Sequence, residues 1–165
     1  MQAGKSSIQF EHPPIITSAA SIVGQTEGEG PLAIFFDRVE PDPTFGKKSW
    51  EEAESELQRQ TVQKCLDKAG RQAADVNCLF AGDLLGQIVA TSFGVESFDI
   101  PFFGLYGACS TMGEAMILGA MAAGAGYADR VLALASSHFA SAERQFRFPL
   151  AYGNQRPQST TWTVT

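Results

Sequence analysis

The sequence has few of the residues that hold metals or cross-link small secreted domains. Among its 165 residues are three cysteines and two histidines, and the cysteines stand far apart, at positions 65, 78 and 109. No C-x-x-C pair and no zinc-type spacing occurs, so we expect no disulfide framework, no structural metal and no cofactor, in a reducing compartment. A chain of this length can bury enough surface to fold as one domain without such aids.

Basic residues and long apolar runs are also scarce. Twelve lysines and arginines stand against eighteen aspartates and glutamates, which gives a formal net charge of -6 at pH 7. This excess of acid argues against binding nucleic acid or anionic lipid through bulk charge, so any bound anion needs a local site. No stretch is apolar for the roughly 18 residues of a membrane span, and the opening MQAGKSSIQFEHPP lacks the features of a signal peptide. We therefore expect a soluble chain without a nucleic-acid partner.

The first half of the chain contains an irregular segment and then a helix. Residues 24–48 are rich in glycine, proline and acidic residues, which predicts a long excursion with little regular structure, and we expect its apolar run 32–36 to pack on the body. Ser49-x-x-Glu52 is a capping box. Trp50, Ala53, Leu57, Thr61, Cys65 and Ala69 then recur every three or four residues up to a glycine, which predicts an amphipathic helix over 50–69.

Short apolar runs predict buried strands at 76–81, 100–106 and 130–135, with helices over 87–95 and 110–126 between them. The helix over 110–126 has Glu114 as its only charge, so we expect it to be covered on every side. The β-branched and aromatic run 159–165 predicts a final strand. This alternation predicts an α/β domain with a mostly parallel sheet and right-handed crossovers.

Polar residues follow the predicted strands at the edge where parallel sheets bind ligands. Asp83 follows the first strand, Cys109 and Ser110 follow the second, and Ser137 and His138 follow the third. Asp83 can cap the next helix or take part in a site. His138 can orient a ligand or a thiol, or it can serve as a structural hydrogen-bond donor.

Cys109 lies where a strand meets a helix, and the helix N-terminus favours a thiolate. It can therefore be a nucleophile, or a small buried hydrophobe. The elbow motif G-x-S-x-G of lipases is not matched, because Thr111 occupies the place of the second glycine. Farther on, Arg144 lies in the segment ERQFRF at 143–148, and its guanidinium suits bidentate recognition of a carboxylate. Alternatively, Arg144 forms a surface salt bridge with Glu143.

Four segments together resemble one family: AGDLL at 81–85, FGLYGACST at 103–111, SSH at 136–138 and AERQFRFP at 142–149. With PPIITSAASIVG near the start and AYGNQRP near the end, the sequence resembles the stage V sporulation protein AD family over nearly its whole length. The resemblance implies a thiolase-like fold, in which two βαβαβαββ halves form five αβαβα layers around two central helices. Residues 1–165 would be the N-terminal half of this fold, and the C-terminal half would lie outside the chain.

The resemblance also implies a function without catalysis. The family binds dipicolinic acid, pyridine-2,6-dicarboxylate, and works with other stage V sporulation A membrane proteins to load it into the spore. The expected ligand-binding residues are Asp83, Cys109, Ser110, Ser137, His138 and Arg144, with calcium as a possible companion of the ligand. We also expect a peripheral position at the spore inner membrane, and pairing with another copy or with the C-terminal half.

Two alternatives remain open at this point. In thiolases and ketoacyl synthases the cysteine that corresponds to Cys109 is acylated, with partner residues supplied by the second half. The chain could accordingly be an acyltransferase with Cys109 as its nucleophile. A third interpretation is a scaffold that docks on membrane proteins without using a ligand site.

Overall fold

The computed structural model describes residues 2–146. The strand predicted over 159–165 and the segment from Arg147 onward lie outside the described residues. The described strands are β1 (Gln2–Ala3), β2 (Ser7–Ile8), β3 (Ile22–Gly24), β4 (Arg38–Glu40), β5 (Cys78–Gly82), β6 (Phe102–Gly104) and β7 (Val131–Ala135). The described α-helices are α1 (Gln25–Gly28), α2 (Trp50–Ala69), α3 (Val89–Val95), α4 (Thr111–Gly124) and α5 (Phe139–Phe146).

Helix α2 begins and ends where its sequence predicts. The hydroxyl of Ser49 accepts a hydrogen bond from the N–H of Glu52 at 3.2 Å, and the Glu52 carboxylate accepts one from the N–H of Ser49 at 3.1 Å. Gly70 ends the helix with a φ of 61°, a left-handed conformation that costs glycine little. The capping box and the terminal glycine therefore set both bounds of α2.

The central sheet has the strand order β6–β5–β7, and both pairings are parallel. Strand β5 is buried along its whole length, and its alternate residues face two different layers. Leu79 and Ala81 belong to a core that contains Val62 and Leu66 of α2, whereas Phe80 belongs to a second core on the side of α4. The α/β class is thus confirmed, with helices on both faces of a parallel sheet.

Gly82 ends β5 at a point where another backbone segment passes very close. A Cβ atom at this position would overlap the carbonyl oxygen of Leu105 and crowd the methyl group of Thr111. Only glycine leaves room for the β6–α4 connection to approach the end of β5 in this way. This close approach brings the segment that contains Cys109 against the segment that begins with Asp83.

The excursion over 24–48 contains more regular structure than its composition indicates. Strand β3 pairs with β4 in parallel, and α1 and a 3-10 turn lie between them. The prediction that residues 32–36 pack on the body was wrong, because Leu32, Ile34 and Phe35 are exposed and Ile34 is 86% accessible. In a 3-10 turn of three residues, side chains point around the helix axis, so the whole run cannot face one surface.

Helix α4 is covered on one side within residues 2–146. Thr111, Ala115 and Gly119 are buried against the sheet. The rest of the helix surface exposes apolar side chains, namely Met112, Met116, Ile117, Leu118 and Met121. The expectation that this helix is covered on every side is therefore wrong for the described part of the chain, because the sheet covers only one face.

Among the described helices, none is both long and apolar enough to cross a membrane.

Candidate functional site

Asp83 organises the connection between β5 and α3. Its buried carboxylate accepts hydrogen bonds from the N–H of Leu85 at 2.7 Å, the N–H of Thr91 at 2.7 Å and the hydroxyl of Thr91 at 2.5 Å. The connection includes Gln87 and Ile88, whose φ angles of 59° and 48° are unusual for side chains of this size. Asp83 therefore stabilises a strained turn, which is the capping role considered for it.

Cys109 is exposed and lies in a short 3-10 turn, Ala108–Ser110, between β6 and α4. The residue before it, Ala108, has a φ of 49°. A left-handed conformation costs an alanine about 1–2 kcal/mol, so the surrounding structure must hold this turn in place. The turn presents the Cys109 thiol to solvent at the start of a 14-residue helix.

The backbone at the start of α4 keeps two hydrogen-bond donors available. The N–H of Ser110 donates to the carbonyl of Gly107 at 3.0 Å, whereas within residues 2–146 no acceptor is found for the N–H groups of Ala108 and Cys109. Glu114 lies close by, since its carboxylate accepts the Ser110 hydroxyl at 2.6 Å and stands over the Cα of Gly107. An anion at this helix end would meet free N–H groups, with one carboxylate beside them.

His138 points away from solvent and toward the loop before α2. Its Nε2 atom lies 2.6 Å from the carbonyl oxygen of Pro43, and its ring packs against Phe45 and Trp50. Burial lowers the pKa of His138, although the hydrogen bond to Pro43 acts in the opposite direction. The neutral imidazole therefore donates from Nε2, and its buried Nδ1 has no partner among the described residues.

Ser137 and Arg144 are exposed near the same sheet edge. Arg144 lies in α5, and its Nη1 atom is 3.4 Å from a carboxylate oxygen of Glu51 in α2. Glu51, rather than Glu143, is thus the ion-pair partner of Arg144 in the described structure. The side chain of Arg144 remains 61% accessible, which leaves it open to a second anion.

The structure also contains a buried polar network that the sequence pattern did not reveal. Its members are Glu54 and Gln58 of α2, Thr91 of α3, and Ser136 and Ser141 at the two sides of the β7–α5 junction. The buried stripe of α2 includes Glu54, Gln58, Val62 and Leu66, whereas the sequence periodicity predicts positions 53, 57, 61 and 65, of which only Ala53 is buried. Shifting the predicted stripe by one residue toward the C-terminus places the polar residues Glu54 and Gln58 on the core face.

A large surface depression lies elsewhere. It has a volume of about 620 Å³ and is lined by residues of the second half of α2 and of the α2–β5 connection, together with Phe98. The connection precedes β5 and Phe98 precedes β6, so the depression lies at the end of the sheet where these two strands begin. The candidate residues follow the strands, and their grouping as a ligand site stays a prediction.

Comparison with known proteins gives two concordant matches. Residues 4–165 match the family model described as stage V sporulation protein AD. The chain is also 41% identical over 162 residues to the stage V sporulation protein AD of Bacillus subtilis (strain 168). This alignment covers 98% of the chain and 48% of the relative, so the chain spans about half the length of that protein.

Proposed function

Since the chain belongs to the stage V sporulation protein AD family, we propose that this sporulation protein binds dipicolinic acid and supports its uptake into the developing spore. Dipicolinic acid is a flat dianion at neutral pH. An acidic protein that binds it must offset the overall repulsion with localised hydrogen-bond donors. The candidate edge of the sheet offers such donors on the two connections that flank Asp83.

The start of α4 is the observation that carries this proposal. The N–H groups of Ala108 and Cys109 have no acceptor within residues 2–146, and they lie at the positive end of a 14-residue helix. One carboxylate of the ligand would accept from these N–H groups. The exposed turn around Cys109 lets a planar ring approach without displacing a core residue.

A second group of donors follows β7. Strand β5 is flanked by β6 and β7, so the segment with Cys109 and the segment with Ser137 lie on either side of Asp83. In our proposal, the Ser137 hydroxyl and the Arg144 guanidinium bind the second carboxylate, Arg144 as a bidentate fork. Asp83 and His138 hold the connections in position, because their hydrogen bonds are made within the protein.

Acyl transfer is the competing function, and one observation favours it. Cys109 is exposed at a helix start and follows the strained Ala108, an arrangement that would suit a nucleophile. Its Sγ atom would attack a thioester carbonyl, release the thiol of the carrier and leave an acyl-cysteine. The reaction also needs a base, but the Nε2 atom of His138 donates to Pro43, and its basic Nδ1 atom is buried, whereas Cys109 is exposed. We therefore place ligand binding first and propose that the protein is not an enzyme.

Calorimetric titration of the intact protein tests the proposal directly. We expect saturable binding of pyridine-2,6-dicarboxylate, and much weaker binding of pyridine-2-carboxylate, which lacks the second carboxylate. Repeating the titration with and without calcium shows whether the ion accompanies the ligand. Absence of binding, together with mass-spectrometric detection of acyl-Cys109 after incubation with acyl-CoA, would replace this proposal with acyl transfer.

We also propose that the protein acts at the spore inner membrane with other stage V sporulation A proteins. The exposed apolar residues of α4 and of residues 32–35 give it surfaces that partner proteins could cover. Co-fractionation with the inner membrane of developing spores, lost when the membrane partners are deleted, is the expected result. If the isolated protein fails to bind dipicolinate but still co-fractionates, a scaffold role is favoured.

A further inference from the structure

The buried polar network connects two carboxyl groups, that of Asp83 after β5 and that of Glu54 on α2. The amide nitrogen of Gln58 donates to the hydroxyl of Thr91 at 2.9 Å and to the hydroxyl of Ser136 at 2.6 Å. Each hydroxyl in turn donates to a carboxyl group, Thr91 to Asp83 and Ser136 to Glu54 at 2.7 Å. Gln58 therefore fixes the direction of both hydroxyl groups.

The two carboxyl groups receive different kinds of donor. Asp83 accepts from the backbone N–H groups of Leu85 and Thr91, which can only donate, so its oxygens must remain acceptors. Glu54 accepts one hydrogen bond from the backbone of His138 and otherwise faces the hydroxyl groups of Ser136 and Ser141, and a hydroxyl can either donate or accept. One oxygen of Glu54 can therefore carry a proton. The surroundings thus demand a carboxylate at Asp83 and permit a neutral acid at Glu54.

A proton on Glu54 has a ready acceptor. The Oε2 atom of Glu54 lies 2.5 Å from the Ser141 hydroxyl oxygen, which lies 3.0 Å from the carbonyl oxygen of His138. With Glu54 neutral, its O–H donates to Ser141 and the Ser141 hydroxyl turns to the His138 carbonyl. Every hydroxyl proton in this chain then has an acceptor, although the side chains of Glu54 and Ser141 are fully buried.

We propose that Glu54 is held as a neutral carboxylic acid and that its ionisation on raising the pH loosens the packing of α5 on α2. Burial is the main cause that raises the pKa of Glu54 above its ordinary 4.5, and the charge of Asp83 adds to it. Hydrogen bonds from Ser141, Ser136 and the His138 backbone act in the opposite direction without reversing it.

The other charged groups around Glu54 do not neutralise an ionised form. Asp83 is an acid, and the His138 ring, whose pKa is lowered by burial, donates to Pro43. Glu143 on α5 is a further buried acid, while Arg144 is exposed and pairs with Glu51. No lysine or arginine forms a salt bridge with Glu54 within residues 2–146.

The sign of the pH effect follows from linkage. When α5 separates from α2, Glu54 meets water and regains its ordinary pKa, so the packed state holds the proton more tightly than the open state. Opening therefore becomes more favourable as the pH rises from about 4.5 toward the pKa of the packed state, by at most about tenfold per pH unit for one proton. Ser137 and His138 directly precede α5, so the predicted site would sense the change.

Hydrogen exchange in the intact protein, measured from pH 5 to pH 8 and corrected for intrinsic rates, tests the proposal. All variants carry His138→Phe, which removes the opposite pH dependence of the buried imidazole. With Glu54 in place, the protection of residues 139–146 should fall as the pH rises. In Glu54→Gln, whose amide mimics the neutral acid and can donate to Ser141, protection should stay at its low-pH level throughout. Glu51→Gln is the matched control, since it removes the other α2 carboxylate that contacts α5, and it should keep the pH dependence.

A second measurement, in the same His138→Phe protein, leaves Glu54 unchanged. The side-chain carboxyl carbon of Glu54, followed by NMR through the same pH range, should titrate above the ordinary glutamate pKa and in step with the loss of protection. Three results would each overturn the proposal. The first is titration of Glu54 at or below the ordinary glutamate pKa. The second is protection of residues 139–146 that rises with pH, and the third is protection that is independent of pH in Glu51→Gln but not in Glu54→Gln. Neither experiment involves a ligand, so its outcome is separate from that of the proposed function.

Discussion

The Nε2 atom of His138 lies 2.6 Å from the carbonyl oxygen of Pro43, and this bond ties the loop before α2 to the end of β7. The two residues are 95 positions apart in the sequence. Trp50, at the start of α2, packs against the same imidazole with a ring-centroid distance of 5.7 Å. One histidine thereby joins the irregular first part of the chain to the parallel sheet.

Replacing His138 by phenylalanine should change how stability depends on pH. Burial places the pKa of folded His138 below its ordinary 6.5. Its contribution is therefore fully present above pH 6.5 and is lost as the pH falls from 6.5 toward the folded pKa. Urea unfolding at pH 8 and pH 5.5 should show that the variant lacks this pH-dependent loss of stability. At pH 8 the variant should be about 1–2 kcal/mol less stable, because the carbonyl of Pro43 has lost its donor. His12→Phe, at an exposed position, should keep the natural pH profile.

Replacing Asp83 by asparagine should destabilise the protein by about 2–3 kcal/mol. One oxygen of the carboxylate accepts from Leu85 and the other from Thr91, so an amide nitrogen in either place would face a donor. Chemical denaturation measures this loss. Asp99→Asn is the control, because Asp99 is exposed with a φ of 52°, a conformation that asparagine adopts readily. A loss as large in the control as in Asp83→Asn would contradict the capping role.

The exposed face of α4 should cause residues 1–165, when produced by themselves, to associate. Met116 and Ile117 are 44% and 56% accessible on a helix with one charged residue, and soluble monomers rarely leave such a patch uncovered. Sedimentation velocity at increasing concentration should reveal this association, and Ile117→Lys should reduce it. Tyr127→Lys, which changes an exposed aromatic residue beyond the end of α4, should have little effect. A stable monomer at high concentration would contradict the prediction.

Glu114 should weaken the binding of an anion at the start of α4. Its carboxylate lies beside Gly107 and accepts the Ser110 hydroxyl, so it repels a second carboxylate that approaches the helix end. Glu114→Gln should raise the affinity for dipicolinate about two- to fivefold, as measured by calorimetry. Asp129→Asn removes one acidic charge near the start of β7, away from this end of the sheet, and should leave the affinity unchanged.

The elements could be predicted where local chemistry decides them. The capping box at Ser49 and the left-handed Gly70 determine where α2 begins and ends. Short apolar runs in the sequence predict β5, β6 and β7. The α/β class followed from their alternation. The thiolase-like arrangement of five layers stays a prediction, since residues 2–146 supply one three-stranded parallel sheet with helices on its two faces.

The details of the candidate site depend on contacts between distant segments, which local patterns do not contain. Ser136 is 82 positions from its acceptor Glu54, so nothing near Glu54 shows that an acidic residue belongs in the core. The direction of the His138 ring is likewise decided by Pro43. Sequence placed Cys109 at the start of a helix, but it did not show that Ala108 would be left-handed or that the thiol would be exposed.

The central claim is that this chain contributes a dicarboxylate site rather than an acylated cysteine. Calorimetric titration of the intact protein with dipicolinate should compare Arg144→Ala with Cys109→Ala, with Arg130→Ala as a control from the other end of the sheet. Hydrogen bonds to charged groups contribute about 1.5–3 kcal/mol each, so loss of the Arg144 fork should weaken binding about tenfold or more. Cys109→Ala should change the affinity little, because the backbone N–H groups remain. Unchanged affinity in Arg144→Ala, together with loss of function in Cys109→Ala, would contradict the account.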